Sequence, residues 1–130
     1  MGSVEIVVLL ALLFVKHFVV DFPLQTPYQW QNKGTYGHVG GIIHSALHAI
    51  GTGLIVVFFI PDPTVLGKFL CATTVALLDG VIHYHVDWAK MALNKKLGYT
   101  TSTNGFWNLL GADQLIHTLT YLVIVVIIFS

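Results

Sequence analysis

The chain has 130 residues, of which 55% are hydrophobic and only 9% are charged, and its formal net charge is zero. This balance indicates an integral membrane protein rather than a soluble domain. The six basic residues are all lysine, so the charge pattern gives no support for nucleic-acid binding, and the expected partner is the lipid bilayer. The length fits a single domain over residues 1–130. A lone cysteine, Cys71, excludes an intrachain disulfide.

Four apolar segments are long enough to cross a bilayer. They are predicted at about residues 4–22, 39–60, 64–92 and 106–129. The first ends before Pro23, because the residue preceding a proline disfavours helical geometry. The third is expected to continue as an amphipathic extension towards Lys95 and Lys96. The sequence therefore predicts an all-α fold, an integral membrane four-helix bundle.

The lysines predict the orientation of the four spans. Lys33, Lys90, Lys95 and Lys96 lie in the first and third connectors, and the second connector has none. The positive-inside rule then places these two connectors in the cytoplasm and both termini outside the cytoplasmic membrane. Lys16, near the cytoplasmic end of the first span, is expected to extend to that surface.

The most informative pattern is a His or Asp followed four residues later by another, once in each apolar segment. The pairs are His17/Asp21, His44/His48, Asp79/His83 and Asp113/His117. Residues four apart share one face of a helix. All four pairs fall in the predicted cytoplasmic half, roughly 8 Å below the ends of the helices at 1.5 Å rise per residue. Ionisable groups in membrane segments are costly and indicate a functional site.

Antiparallel packing would sort these eight residues into two layers of potential metal ligands. The deeper layer is His17, His48, Asp79 and His117, and the shallower layer is Asp21, His44, His83 and Asp113. A mixed His and carboxylate set suits Zn, Mn or Fe better than Ca, Mg or Cu(I). The sequence therefore predicts a divalent metal site with all eight residues as ligands, holding one ion or two.

Four further residues are expected to support the ligands. They are Gln25, Lys33, Asp87 and Gln114. Asp87 follows His83 by four residues, so it is either a ninth ligand, a carboxylate that orients an imidazole, or an ion-pair partner of Lys90. Gln25 and Gln114 could donate hydrogen bonds to ligand carboxylates or to substrate. Lys33 and Lys90 are placed to meet an anionic head group.

The segment His17-Phe18-Val19-Val20-Asp21-Phe22-Pro23-Leu24-Gln25-Thr26 resembles the opening signature of a known family. That family, of small bacterial and phage membrane proteins, is uncharacterised and carries His-Phe-x-x-Asp-Phe-x-x-Gln-Thr. Its following Lys and His-x-x-x-His helix match Lys33 and His44/His48, and the later His/Asp pairs look like further family positions. The resemblance implies a site but names no reaction. A looser similarity links the His/Asp pairs to bacterial inner-membrane proteins described as metal-dependent hydrolases.

The leading functional hypothesis is a metal-dependent hydrolase that acts on a lipid or another amphiphile at the cytoplasmic face of the membrane. A bound dication would activate water and polarise an ester or phosphoester. One of Asp21, Asp79 or Asp113 would then act as the catalytic general base instead of a ligand. The lack of arginine weakens the phosphoester version, since bidentate phosphate binding usually uses that residue.

Three alternatives remain open at this stage. A proton or ion transporter could use the same groups as a relay, although no ionisable residue marks a path through the outer half. A redox protein could bind haem through its histidines or a di-iron centre through the whole set. A non-enzymatic phage or envelope interaction protein would use the polar cluster as interhelical contacts. A chain this short is also compatible with a homo-oligomer.

Overall fold

A computed structural model describes residues 2–130, and every regular element in that range is a helix. The elements are α1 (Ser3–Asp21), α2 (Pro27–Asn32), α3 (Val39–Val56), α4 (Val65–Leu97) and α5 (Asn104–Phe129). All but α2 are long and apolar enough to cross a membrane. The predicted all-α bundle of four membrane-spanning helices is therefore confirmed, and its architecture is that of a multi-pass membrane protein.

The four long helices form a ring in which each packs against two neighbours. Helix α1 contacts α3 and α5, and helix α4 contacts the same two helices from the opposite side. One end of the ring, here called the apolar end, is filled by a hydrophobic core. That core comprises Leu9, Leu13, Val56, Ile60, Ala72, Val75, Tyr121, Ile124, Val125 and Ile128. The other end, here called the α2 end, encloses the polar side chains.

Helix α2 is an element that the sequence analysis did not predict. Pro27 occupies its first turn, where the missing N–H costs nothing, and Thr26 precedes it as the N-cap. The side chain of Gln29 accepts a hydrogen bond from the N–H of Thr26 at 3.2 Å, which is half of a capping box. The helix packs on α3 and ends at Lys33. It thereby brings a buried lysine over the polar end of the bundle.

Helix α3 ends at Val56, before the predicted boundary at residue 60. Pro61 disfavours helical geometry at the preceding residue, and the chain loosens into tight turns in which Phe59 N–H donates to Val56 O at 2.9 Å. In the connector that follows, the N–H and hydroxyl of Thr64 donate to Asp62 at 2.7 and 2.6 Å. These hydrogen bonds hold the pKa of the Asp62 carboxyl below its usual range.

Helix α4 is longer than the predicted range of 64–92, because its amphipathic extension is continuous with the span. It ends where Gly98 adopts a left-handed conformation with φ of 65°. The N–H of Tyr99 then donates to the carbonyl of Asn94 at 2.9 Å, which closes a Schellman motif. This extension carries Lys90 and Asp87 onto the α2 end of the bundle.

A close approach of α3 and α4 positions two of the histidines. A Cβ atom added to Gly80 would lie only 2.9 Å from the Cβ of Ala49, so the helices can approach this closely only with glycine at that position. At the same level, the ring of His48 stacks on the ring of His83 with centroids 3.5 Å apart. The small residues therefore set the spacing of the site.

Candidate metal centre

Side chains from all four long helices meet inside the α2 end of the bundle. Seven of them form one cluster, here called the His/Asp cluster: His17, Asp21, His44, His48, His83, Asp87 and His117. Within it, two groups have ligand atoms within 4.8 Å of one another. The groups are Asp21, His44, His48 and His83, and His83, Asp87 and His117. Either group could hold a metal ion, and neither coincides with a layer expected from the sequence.

Asp21, at the end of α1, is the centre of the first group. Its Oδ1 atom lies 3.0 Å from Nε2 of His48, 3.2 Å from Nε2 of His44 and 3.6 Å from Nε2 of His83. Its Oδ2 atom lies 3.0 Å from Nε2 of His17, one helical turn earlier. One carboxylate is thus approached by four imidazoles from three helices.

Asp87 closes the cluster from the opposite side. Its Oδ2 atom lies 3.2 Å from Nε2 of His44 and 3.5 Å from Nε2 of His83. Its Oδ1 atom lies 4.0 Å from Nε2 of His117. The sequence placed Asp87 as a supporting residue or a ninth ligand, and the structure brings its carboxylate into the second group. The rings of His44 and His83 therefore lie between two carboxylates.

Three imidazoles form a stack through the middle of the cluster. The centroids of His48 and His83 are 3.5 Å apart, and those of His83 and His117 are 3.9 Å apart. The planes of these two pairs are inclined by 20° and 14°. The stack joins α3, α4 and α5 and leaves His83 as the member common to both candidate groups.

Most of these buried ring nitrogens have no hydrogen-bond partner. Among residues 2–130, neither nitrogen of His44, His83 or His117 makes a hydrogen bond, although their Nε2 atoms approach carboxylate oxygens. A buried polar group without a partner costs about 1–3 kcal/mol. The nitrogens converge on the carboxylates without directing an N–H at them, which is the arrangement expected around a shared cation.

Three lysines pair with three of the four aspartates in this region. The pairs are Lys16–Asp79, Lys33–Asp87 and Lys90–Asp113, with N–O distances of 3.0, 3.0 and 2.9 Å. Lys90 also lies 3.1 Å from Asp87. Asp21 is the remaining carboxylate, and no lysine in the described part of the chain comes within ion-pair distance of it. The excess negative charge of the region therefore resides at Asp21, among the histidines.

Lys16 lies inside the bundle, so the prediction that it extends to the membrane surface was wrong. Its ammonium donates hydrogen bonds to Asp79 at 3.0 Å and to the hydroxyl of Tyr121 at 2.9 Å, and it lies 3.4 Å from Nδ1 of His48. Gly51 on α3 leaves room for this side chain, since a Cβ there would lie 2.8 Å from Cγ of Lys16. A carboxylate partner inside the bundle replaces the water that the ammonium would meet outside.

The other two predicted catalytic aspartates flank the cluster. Asp79 accepts hydrogen bonds at Oδ2 from Lys16 and from the hydroxyl of Thr52 at 2.5 Å, and it belongs to neither candidate group. Asp113 accepts at Oδ2 from Lys90, and its Oδ1 lies 3.4 Å from Nε2 of His117. Asp79 is thus held towards the apolar end, whereas Asp113 borders the second group.

The two glutamines differ in what they contact. Gln25 donates to the backbone carbonyl of Asp21 at 2.8 Å, so it supports the end of α1 and not a ligand carboxylate. Gln114 donates to Asp113 at 3.0 Å, and its Oε1 lies 3.1 Å from Nε2 of His17. Gln114 therefore connects α1 to α5 beside the cluster.

Sequence reasoning missed two residues that contact the predicted ones. Thr52 and Tyr121 follow His48 and His117 by four residues each, so they continue the same helical faces. Tyr121 places its hydroxyl 3.0 Å from Nδ1 of His17. A search for a polar residue four positions after each pair would have found both Thr52 and Tyr121.

Four apolar helices and a buried cluster of histidines and carboxylates define a helical membrane protein with a candidate metal centre. The chain belongs to the family described as "Protein of unknown function (DUF3307)", whose model matches residues 9–130. The matched range contains every residue of the His/Asp cluster. Comparison with curated proteins and with solved structures gives no match. The expected membership of an uncharacterised family is confirmed.

Proposed function

We propose that the His/Asp cluster binds a divalent ion of Zn, Mn or Fe and that the protein is a metal-dependent hydrolase of amphiphilic esters at the cytoplasmic face of the membrane. The observation that carries the proposal is Asp21. This carboxylate has no lysine partner among residues 2–130, yet four imidazole Nε2 atoms lie within 3.6 Å of it. A dication would compensate its charge and satisfy the nitrogens at the same time.

The separations within the first group are within about 0.3 Å of those in a single tetrahedral coordination sphere. Tetrahedral zinc with bonds of about 2.0–2.2 Å holds its ligand atoms about 3.3–3.6 Å apart. The Nε2 atoms of His44, His48 and His83 lie 3.2, 3.0 and 3.6 Å from Oδ1 of Asp21. Three histidines and one carboxylate then surround one ion. A second ion at His83, Asp87 and His117 would require His83 to use both ring nitrogens.

Of the three aspartates named as candidate general bases, Asp113 is the one that is neither a candidate ligand nor held towards the apolar end. It borders the second group through His117, and its Oδ1 has no hydrogen-bond partner in the described part of the chain. A dication held by Asp21 and the three histidines of the first group would acidify a water and polarise the ester carbonyl. Asp113 would take the proton as the water oxygen joins the acyl carbon, the acyl C–O bond breaks, and the leaving alkoxide accepts that proton. Lys90, 2.9 Å from Asp113, would stabilise the negative charge that develops.

Three alternatives from the sequence have less support. A transporter requires a polar path across the bundle, and the apolar end is filled by residues such as Leu13, Val75 and Ile124. A haem requires a slot between its axial histidines, and the rings of His48, His83 and His117 stack directly on one another. A purely structural network would direct N–H groups at acceptors, which three of the histidines do not do.

Elemental analysis of the full chain in mild detergent tests the metal. We expect near-stoichiometric Zn, Mn or Fe in the wild type and its loss in His83→Ala. His85→Ala is the matched control on the same helix, because His85 is exposed and its Nδ1 contacts a backbone carbonyl of its own helix at 2.8 Å. Metal content that is equal in the two variants would overturn the proposal.

A hydrolysis assay on the metal-loaded protein tests the reaction. Carboxylic ester amphiphiles in phosphatidylcholine vesicles are the substrates, and Asp113→Asn is the variant. We expect turnover to fall about 100-fold or more, as is typical for loss of a general base, with metal content retained. Turnover that persists in Asp113→Asn would exclude that role, and the absence of turnover in the metal-loaded wild type would exclude the hydrolase.

A further inference from the structure

A groove between α1 and α5 leads from the lipid-facing surface of the bundle to the candidate metal centre. Its volume is about 270 Å³. Phe14 and Phe18 line its outer part and are exposed on the surface of the ring. His17, Gln114 and His117 line its inner part. The groove therefore joins an apolar rim to a polar floor within the membrane-spanning region.

The floor of this groove contains a buried polar group without a partner. His117 is only 1% exposed, both of its ring nitrogens lack hydrogen bonds to residues 2–130, and it belongs to the second candidate ligand group. Two grooves between α3 and α4 are larger, at about 540 and 370 Å³, but within the described part of the chain neither is lined by a residue of the His/Asp cluster. The α1/α5 groove is smaller, and two members of the cluster, His17 and His117, line its floor.

We propose that the α1/α5 groove admits a single-chain carboxylic ester from the bilayer directly to the His/Asp cluster. This inference rests on the proposed function and specifies its substrate class. The hydrocarbon chain would lie along Phe14, Phe18 and Phe22, of which the last two stack with centroids 5.4 Å apart. The ester group would reach His117 and Gln114, both of which contact Asp113, the proposed general base, at 3.4 and 3.0 Å.

The size and charge of the groove support this substrate class. Small-molecule sites usually measure about 300–1,000 Å³, so a groove of about 270 Å³ suits one chain and a small polar group better than a two-chain lipid. Phosphate groups are generally bound by cationic side chains, and no lysine lines this groove. An uncharged ester therefore fits the floor better than a phosphoester does.

Photo-crosslinking tests the entrance on the full, metal-loaded chain. The probe is a monoacylglycerol with a diazirine in its acyl chain, in phosphatidylcholine vesicles, and cross-linked residues are mapped by mass spectrometry. Thr118 lines the groove, so Thr118→Trp should fill it. Thr73→Trp is the matched control, because Thr73 lines the smaller α3/α4 groove. We expect Thr118→Trp to reduce labelling of α1 and α5 about tenfold, equivalent to about 1.4 kcal/mol of binding free energy, and Thr73→Trp to leave it unchanged.

Equal labelling of the α1/α5 groove and of the α3/α4 groove that contains Thr73 would overturn the proposal that the ester enters between α1 and α5. Labelling that Thr118→Trp leaves unchanged would overturn it as well. If Thr118→Trp does not fold, the smaller substitution Thr118→Leu should still reduce labelling at α1 and α5, and unchanged labelling would again overturn it. Metal content separates this inference from the proposed function. If the protein binds metal but the α1/α5 groove is not labelled selectively, entry through that groove is overturned and the proposed function is not. If the groove is labelled selectively but the protein binds no metal, the metal-dependent reaction is overturned and entry through the groove is not.

Discussion

The ammonium nitrogen of Lys16 lies 3.0 Å from Oδ2 of Asp79 in the interior of the membrane bundle. The same oxygen accepts a hydrogen bond from Thr52, and Lys16 also donates to Tyr121. The Tyr121 hydroxyl contacts His17 in turn. This network lies between the apolar end and the His/Asp cluster. The Lys16 ammonium compensates the charge of Asp79. Lysines also pair with Asp87 and Asp113, so Asp21 is the one aspartate of this region without a lysine partner among residues 2–130.

Removing one member of this ion pair should destabilise the bundle strongly. We expect Lys16→Met to lower the free energy of unfolding by about 3–5 kcal/mol, because it leaves Asp79 buried without its cation. The double variant Lys16→Met/Asp79→Leu should recover most of that loss, since no charge remains. Unfolding in detergent micelles measures both. A double variant as unstable as the single one would show that the pair is not the cause.

Asp21 and Asp79 were both predicted as metal ligands, but we expect their substitution to affect metal binding differently. Asp21→Asn should lose the bound ion, because it removes the carboxylate contacted by four imidazoles. Asp79→Asn should retain the ion and lose stability, because Asp79 belongs to neither ligand group. Metal analysis and thermal unfolding of both variants distinguish the two effects. Loss of metal from both, or from Asp79→Asn alone, would contradict the assignment of ligands.

Metal binding should stabilise the folded state by an amount that grows with the logarithm of the free metal concentration above Kd. Addition of Zn²⁺ to chelator-treated protein should raise the unfolding free energy by about 2.7 kcal/mol when free metal reaches a hundredfold excess over Kd. The measurement is the thermal unfolding temperature against Zn²⁺ concentration. His83→Ala should abolish the increase, since His83 is common to both groups. An equal increase in His83→Ala would mean that zinc binds elsewhere.

The close contact between α3 and α4 should be sensitive to one methyl group. Gly80→Ala would place a Cβ 2.9 Å from Ala49, which forces the helices apart and separates the rings of His48 and His83. We expect a loss of about 1–3 kcal/mol in stability, as is usual for overpacking, together with weaker metal binding. Gly111→Ala is the control, because a Cβ at Gly111 meets no atom within 4 Å. Equal effects of both substitutions would point to helix propensity instead of packing.

The predicted orientation can be tested with cysteine labelling in a Cys71→Ala background. Lys95→Cys lies at the exposed end of α4 and should resist a membrane-impermeant thiol reagent added to intact cells, since the positive-inside rule places this connector in the cytoplasm. Pro63→Cys, exposed in the opposite connector, should react. Labelling of Lys95→Cys and protection of Pro63→Cys would reverse the orientation.

Many members of the two candidate ligand groups could be proposed from spacing alone. Helical geometry places residues four apart on one face, so the pairs beginning at His17, His44 and Asp113 indicated which faces point inwards. Spacing does not show which acid pairs with which base across helices. Asp79 and Asp87 lie on the same face of α4, two turns apart, yet one contacts Lys16 and the other enters a candidate ligand group.

The sequence by itself determined the class of protein, its four apolar helices and the helical faces that carry the polar groups. These follow from local rules, namely the length needed to cross a bilayer and the periodicity of a helix. Only the tertiary structure decided that Lys16 is buried, that Asp87 joins the cluster and that Asp21 has no lysine partner among the residues that the structure describes. Those outcomes depend on the order of helices around the ring and on the close approach at Gly80, which are set by packing between segments distant in sequence.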